Sequence, residues 1–228
     1  MCNIINISCV KVDLFILRVP ESTYNDKYFQ EICQERFINA KQRKKTLIIQ
    51  KLLAKRLLHF VLSKYYSIDR VRLKYNEYGK PLLSDKSLLQ FNISHSKDTI
   101  IIAINNMGVE IGVDVQWPKA IKYSDSFVNH KERELLIDLR LNDLWAIKES
   151  YVKMSGIGIN KSLLSFSIIK DISGKFMIIE GERLMAYSQL FRDSEYSFAI
   201  CAPVRIDLSK IYVNYLCVSN ESKYDKEM

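Results

Sequence analysis

In the stretch LWAIKESYVKMSGIGIN, residues 144–160, Trp145, Lys148, Glu149, Val152 and Lys153 fall three or four positions apart. On a helix this spacing gathers two ammonium groups and one carboxylate beside an indole. Gly156 and Gly158 then stop the helix. The face admits two readings: a solvated Glu149–Lys153 ion pair worth roughly a few tenths of a kcal/mol, or a charged reaction site. A second stretch, IGVDVQ at 111–116, sets Asp114 inside an apolar run, where a charge is costly unless it is paired or bound to metal. Asp114 too has a plainer reading, as a core carboxylate satisfied by a neighbouring backbone group or lysine. Together, an acid from a strand and an acid from a helix, with lysines adjacent, are what a magnesium ion and a phosphorylated substrate require.

Other residues add weaker signals. NEYGKP at 76–81 is a turn signature that holds Lys80, and a lone turn lysine is ordinarily just solvated. His95 sits between two serines in FNISHS, residues 91–96, at an expected strand end, where either a structural or a functional histidine fits. The run KQRKKT, 41–46, reads as a solvated first helical turn. Cations favour helix C-termini, however, so their gathering at an N-terminus suggests an anion held nearby.

The elements that must position these residues follow from periodicity. Residues 4–19 are β-branched and partly alternating, which predicts one or two strands ending at Pro20. Between 25 and 66 the pattern turns helical: 29–39 is amphipathic, and Leu47, Ile48, Leu52, Leu53, Leu57, Leu58, Val61 and Leu62 recur at helix spacing. Strands are expected at 71–75, 91–96, 98–104 and 109–115, and helices at 130–141 and 143–155. From Ser162 the chain reads as strands and turns, with strands in LLSFSIIK, KFMIIE, YSFAICAP and IYVNYL, and the tail from Ser219 reads as frayed. SKDTIIIAIN and DSEYSFAICA each place a polar turn before a buried strand, a faint echo of two α/β halves meeting near 104–110. A cleft between such halves is a usual place for a ligand.

Composition narrows the classes. The 228 residues are 48% apolar, ample for a core. The 34 Lys and Arg against 26 Asp and Glu leave +8, which favours an anionic partner. Nucleic acid is disfavoured, because only charge and KQRKK speak for it and no aromatic-interleaved basic motif appears. Five scattered cysteines without a CxxC pair indicate neither a disulfide framework nor a zinc site and fit a reduced, cytoplasmic setting. Lys11 and Asp13 interrupt the apolar N-terminus and no basic region precedes it, so no signal peptide is expected. No window approaches the roughly 20 apolar residues of a membrane span.

In order and spacing, GKP at 79–81, FNISHS at 91–96, IGVDVQ at 111–116 and WAIKESYVKMSGIG at 145–158 resemble the 4′-phosphopantetheinyl transferase superfamily, in its long pseudo-dimeric form of the surfactin-synthetase-activator type. The resemblance covers about 46–167, and WxxKExxxKxxGxG and G[IV]D are its most specific motifs. It implies an α/β (α+β) fold of two similar halves related by a pseudo-twofold, 1–106 and 107–228, with the active site in the cleft between them and the metal site in the second. It also implies a monomer, since shorter relatives must oligomerise to build the same cleft.

The implied activity moves the phosphopantetheine arm of coenzyme A to a serine of an apo carrier domain bearing an acidic helix, leaving adenosine 3′,5′-bisphosphate. A coenzyme A or acidic-protein binder without turnover is the alternative. By position, Asp114 and Glu149 are the implied ligands of Mg2+, with Mn2+ as a substitute, and Glu132 matches another acidic position nearby. Glu149 is also the implied base, acting directly or through water. Lys148 and Lys153 are implied at the pyrophosphate. Lys80, Pro81, Ser94, His95, Thr46 and Lys45 are implied at the nucleotide end. Gln116 departs from the surfactin-type pattern, which has an acid there, so it would ligate directly or through water and with one less negative charge. Gln30 and Cys33 stand near positions where that type carries lysines, leaving Lys44 or Lys45 to compensate.

Overall fold

The computed structural model describes residues 9–19, 42–85, 88–117, 126–192 and 194–215. The expected amphipathic segment 29–39, with Gln30 and Cys33, and the tail from Ser219 lie outside the described residues, as do the side chains of 42–45, 159 and 209–215. No helix among the described residues is long and apolar enough to cross a membrane.

The β-branched run near the N-terminus forms β1 (Cys9–Arg18), and its alternation serves two cores. Val10, Val12, Leu14 and Ile16 face one, while Phe15, Leu17 and Val19 face the other. The long helix α1 (Gln42–Tyr66) covers the second of these with Leu53, Leu57, Leu58, Val61 and Leu62. After it come the short pair β2 (Leu73–Tyr75) and β3 (Pro81–Leu83), then β4 (Gln90–Ser96) and the fully buried β5 (Thr99–Asn105). β6 (Gly112–Gln116) opens the second part of the chain. Next come a 3-10 helix (His130–Ile137), the helix α2 (Leu141–Ser155), β7 (Ser167–Lys170), β8 (Phe176–Glu180), β9 (Arg183–Arg192), β10 (Ser197–Ala202) and β11 (Arg205–Tyr215).

Two main sheets result, in the orders β11-β1-β5-β4 and β6-β10-β9-β8-β7. Val113, Val115, Ile200 and Ala202 of the second sheet pack against β1 and β5 of the first. Its other face carries Ile168, Ile178, Ala186 and Ala199 against Leu144, Ile147, Tyr151 and Val152 of α2. The layers are therefore α1, first sheet, second sheet, α2, a mixed α and β architecture. The antiparallel trio β1-β5-β4 has a counterpart of the same order and sense in β6-β10-β9. β11 returns to the first sheet and runs parallel to β1 along its whole length.

The expected helix at 130–141 is shorter and tighter, a 3-10 helix whose Asp138 amide bonds the Leu135 carbonyl. α2 begins two residues earlier than its spacing suggests, because Asp143 reaches back to the Arg140 amide at 2.7 Å and caps the new start. β9 was absent from the expected strands. Its buried residues Ala186 and Ser188 are small, so the buried-and-exposed alternation along it carries little hydropathy contrast.

Candidate active site

Three elements converge where β4, the edge of the first sheet, meets β6, the edge of the second, under the C-terminal half of α2. β4 supports β6 through side chains rather than a backbone ladder. Asn92 Oδ1 accepts the Val113 amide at 2.9 Å, Ser94 Oγ that of Val115 at 3.2 Å, and Ser96 Oγ that of Trp117 at 3.1 Å. These three polar residues recur at every second position, so they share one face of β4.

α2 lies directly on β6 because position 112 is glycine. A Cβ there would sit 2.0 Å from the Ser150 carbonyl oxygen and 2.4 Å from the Met154 nitrogen. The end of α2 is fixed as well. Gly156 takes the left-handed conformation (φ +71°), Asn76 Nδ2 donates to its carbonyl at 2.9 Å, and Lys80 Nζ donates to the Met154 carbonyl at 2.8 Å. The NEYGKP turn thus clamps α2. Pro81 opens β3 opposite Tyr75.

With its strand and helix so placed, Asp114 is buried and accepts three side-chain hydrogen bonds. Ser94 Oγ donates to Oδ1 at 2.9 Å, Lys153 Nζ to the same oxygen at 2.5 Å, and Gln116 Nε2 to Oδ2 at 2.6 Å. Lys153 also donates to Ser94 Oγ at 2.8 Å and keeps 30% of its side chain exposed, so its ammonium stands between a buried acid and solvent. Glu149 lies one turn before Lys153 and is half-buried. Burial first, then the Asp114 charge, hold its carboxyl above the ordinary carboxylate range against the opposing pull of Lys153. Burial, then the charges of Lys153 and Lys51, hold the His95 imidazole below its ordinary value, with Asp114 opposing. The surroundings of His95 therefore favour an added anion.

Lys51, exposed on α1, is the residue that sequence reasoning missed here. It lies on the solvent side of a helix whose apolar stripe drew the reading. Thr46 lies half-buried on α1, and Lys45 belongs to the same helix.

Two expected site residues do not join this cluster. Lys148 and Glu132 are both fully buried and bind each other at 2.9 Å. Lys148 Nζ also donates to the Leu163 carbonyl at 2.6 Å, while Glu132 accepts the Ile168 amide at 2.8 Å and the Asn129 amide at 3.0 Å. Lys148, expected at a pyrophosphate, and Glu132, expected near the metal site, thus stand against each other in the core. Helix periodicity turns position 148 toward the core behind Glu149, and a buried ammonium needs the partner that Glu132 supplies. Trp145 packs edge-on to Phe127 at 5.0 Å as part of the same scaffold.

Among the described residues no three His, Cys, Asp or Glu side chains form a ready metal nest. The cluster does offer hard oxygen donors: two carboxylates, one raised by the other's charge, and the Gln116 amide. A divalent cation would relieve that repulsion, so the donor set fits Mg2+.

The model of a family described as the 4′-phosphopantetheinyl transferase superfamily matches residues 110–201, which run from just before β6 to within β10. Likeness to individual relatives spans more of the chain. The chain is 30% identical over 171 residues to the 4′-phosphopantetheinyl transferase ffp of Bacillus subtilis, covering 66% of this chain and 72% of that protein. It is 29% identical over 162 residues to the 4′-phosphopantetheinyl transferase Sfp of Bacillus subtilis (strain 168), with the same coverage. To the 4′-phosphopantetheinyl transferase gsp of Aneurinibacillus migulanus it is 32% identical over 143 residues, covering 60% of this chain and 58% of that protein. With a strand acid, a helix acid and a shared lysine standing inside the matched region, the chain belongs to the 4′-phosphopantetheinyl transferase superfamily and is an enzyme of that class.

Proposed function

We propose that this enzyme transfers the 4′-phosphopantetheine arm of coenzyme A to the acceptor serine of an apo peptidyl, acyl or aryl carrier domain, with Mg2+, releasing adenosine 3′,5′-bisphosphate. The observation that carries the reading is the meeting of Asp114, Glu149 and Lys153 at the junction of β4, β6 and α2. Asp114 and Glu149 would hold the metal, with the Gln116 amide oxygen completing the set directly or through water. When bound, the ion supplies positive charge for the pyrophosphate. Glu149, its carboxyl raised, takes the serine proton directly or through water. The serine oxygen then bonds to the β-phosphorus, the bond from that phosphorus to the bridging oxygen breaks, and its electron pair leaves with the bisphosphate. Lys153 is the cation with both a buried anchor and solvent access, so it neutralises charge on the leaving side. His95, with Lys51 beside it, faces the phosphate-bearing nucleotide end. Ser94 orients Asp114 and Lys153 together, and Lys80 with Pro81 acts by holding α2. The Lys148–Glu132 pair fixes the orientation of the helix that presents Glu149.

The matched strand orders of the two sheets support a pseudo-twofold pair of α/β halves, 1–106 and 107–228, with the site in the cleft between them. β11 is the exception, crossing back to the first half. Such an arrangement needs no second chain and favours a monomer. A cytoplasmic setting accords with substrates found there.

Intact mass spectrometry tests the function. Incubated with coenzyme A, Mg2+ and an apo carrier domain, the enzyme adds the phosphopantetheine mass, and Glu149→Ala abolishes the gain while remaining folded. Failure of every carrier offered, including a promiscuous peptidyl carrier, would refute the catalytic reading.

A further inference from the structure

The short hairpin of β2 and β3 forms a sheet of its own, apart from the two main sheets. A lone two-stranded hairpin is marginal in water, so this one depends on what it rests against. At its base Leu83 is buried in the core under α1, with Leu73 packed beside it. At its tip it meets the end of α2, through contacts that span 74 and 80 residues of chain.

One side chain, the half-buried Asn76, builds the tip and joins it to the helix. Its Oδ1 accepts the Tyr78 amide at 3.0 Å and the Lys80 amide at 2.8 Å, which closes the turn. Its Nδ2 donates to the Gly156 carbonyl at 2.9 Å. The approach is close because Gly156 has no side chain: a Cβ there would stand 3.0 Å from Asn76 Nδ2 and 3.2 Å from Lys80 Cδ. A helix leaves its last carbonyls without intrahelical donors. At the end of α2, Asn76 and Lys80 supply donors to Gly156 and Met154 from a hairpin that precedes β4.

The part of α2 secured in this way is its last turn. Lys153 belongs to that turn, three residues before Gly156, and bonds Asp114 Oδ1 at 2.5 Å. Fraying of the turn would swing the ammonium off Asp114, whereas Glu149, a turn deeper in the helix, would keep its place. We infer that Asn76 is a positioning residue for the transfer step: by tying the hairpin to Gly156 it holds Lys153 at Asp114, without itself touching the substrate. This rests on the transfer reading above, which gives Lys153 the charge of the leaving side.

Three substitutions separate the tie from the turn. Asn76→Asp keeps an acceptor for both turn amides but sets an oxygen against the Gly156 carbonyl. Asn76→Ser keeps a weaker turn acceptor, adds no charge and lacks the donor. Asn76→Ala removes both functions. Single-turnover transfer to an apo carrier domain, at saturating coenzyme A and Mg2+, should slow about tenfold or more in all three, within the roughly hundredfold cost of a small misplacement. Urea unfolding at the assay temperature should show each variant folded. Exchange of the Gly156 amide, which donates to the Val152 carbonyl at 3.2 Å, should quicken in each. Action through Lys153 is tested by a cycle read in binding, so that inactive variants still count. Titration calorimetry with coenzyme A and Mg2+ should show Asn76→Asp weakening binding about fivefold in the native sequence and less than about twofold on a Lys153→Ala background.

Wild-type rates in Asn76→Asp and Asn76→Ser beside a slow Asn76→Ala would make Asn76 a turn-former only and overturn the inference. Equal weakening with and without Lys153 would overturn it too, as would slowing that tracks the unfolded fraction. A wild-type protein that transfers to no carrier, yet keeps the calorimetric coupling of Asn76 to Lys153, would sink the transfer reading and leave the tie between these two residues standing.

Discussion

Glu149 links the chemistry of the site to the stability of the protein. Its raised carboxyl holds a proton in the folded state over a pH range where the unfolded chain has released it. Folding is therefore favoured by this group below the ordinary carboxylate range, and that advantage turns into a loss as pH rises toward the raised value. In metal-free buffer, Glu149→Gln should match wild type in urea unfolding at low pH and exceed it near neutrality. An equal offset at both ends would show that the carboxyl is not strained. His95 has the opposite sense: its lowered pKa keeps it neutral near neutrality, with stability present above the ordinary histidine value and lost as pH falls through it to the depressed one. In NMR titrations its ring should report a pKa below 6.5 in the free protein. Adding adenosine 3′,5′-bisphosphate should move that pKa upward, and an indifferent His95 would remove it from the nucleotide end.

Among the elements, the contact of α2 with β6 shows how much the sequence could and could not reveal. The charged face of α2 was legible, since spacing alone places Glu149 and Lys153 together. Which lysine turned inward was not, because the distinction between 148 and 153 depends on where the core lies around the helix. The need for glycine at 112 was equally hidden: it arises from two backbone atoms of α2 that are 38 and 42 residues away along the chain. Gly112→Ala should cost more than about 3 kcal/mol in denaturant unfolding, since backbone cannot yield as a side-chain tip does. A cost under about 1 kcal/mol would mean that α2 can lift off the strand and that the fixed approach is not needed. The strand β9 stayed concealed for a different reason, its buried positions being small and partly polar.

For the whole molecule, a mixed α and β fold was foreseeable from the succession of strand and helix patterns, while the return of β11 to β1 was not, because parallel pairing of distant strands leaves no local mark. The side-chain struts from β4 to β6 have a further consequence. Ser94 both supports the second sheet and bonds Asp114 and Lys153, so the electrostatics of the site and the joining of the sheets share one hydroxyl. An edge strand normally exchanges its amide hydrogens by local fraying. The amides of Val113 and Val115 should instead exchange only in the global opening event, at the rate of the buried strand β5. Asn92→Ala should speed Val113 selectively, a result readable by hydrogen-exchange NMR. The active centre is then a reporter of folding: no partially opened form can retain it, and any quality-control protease that waits for the sheets to part meets an enzyme already switched off.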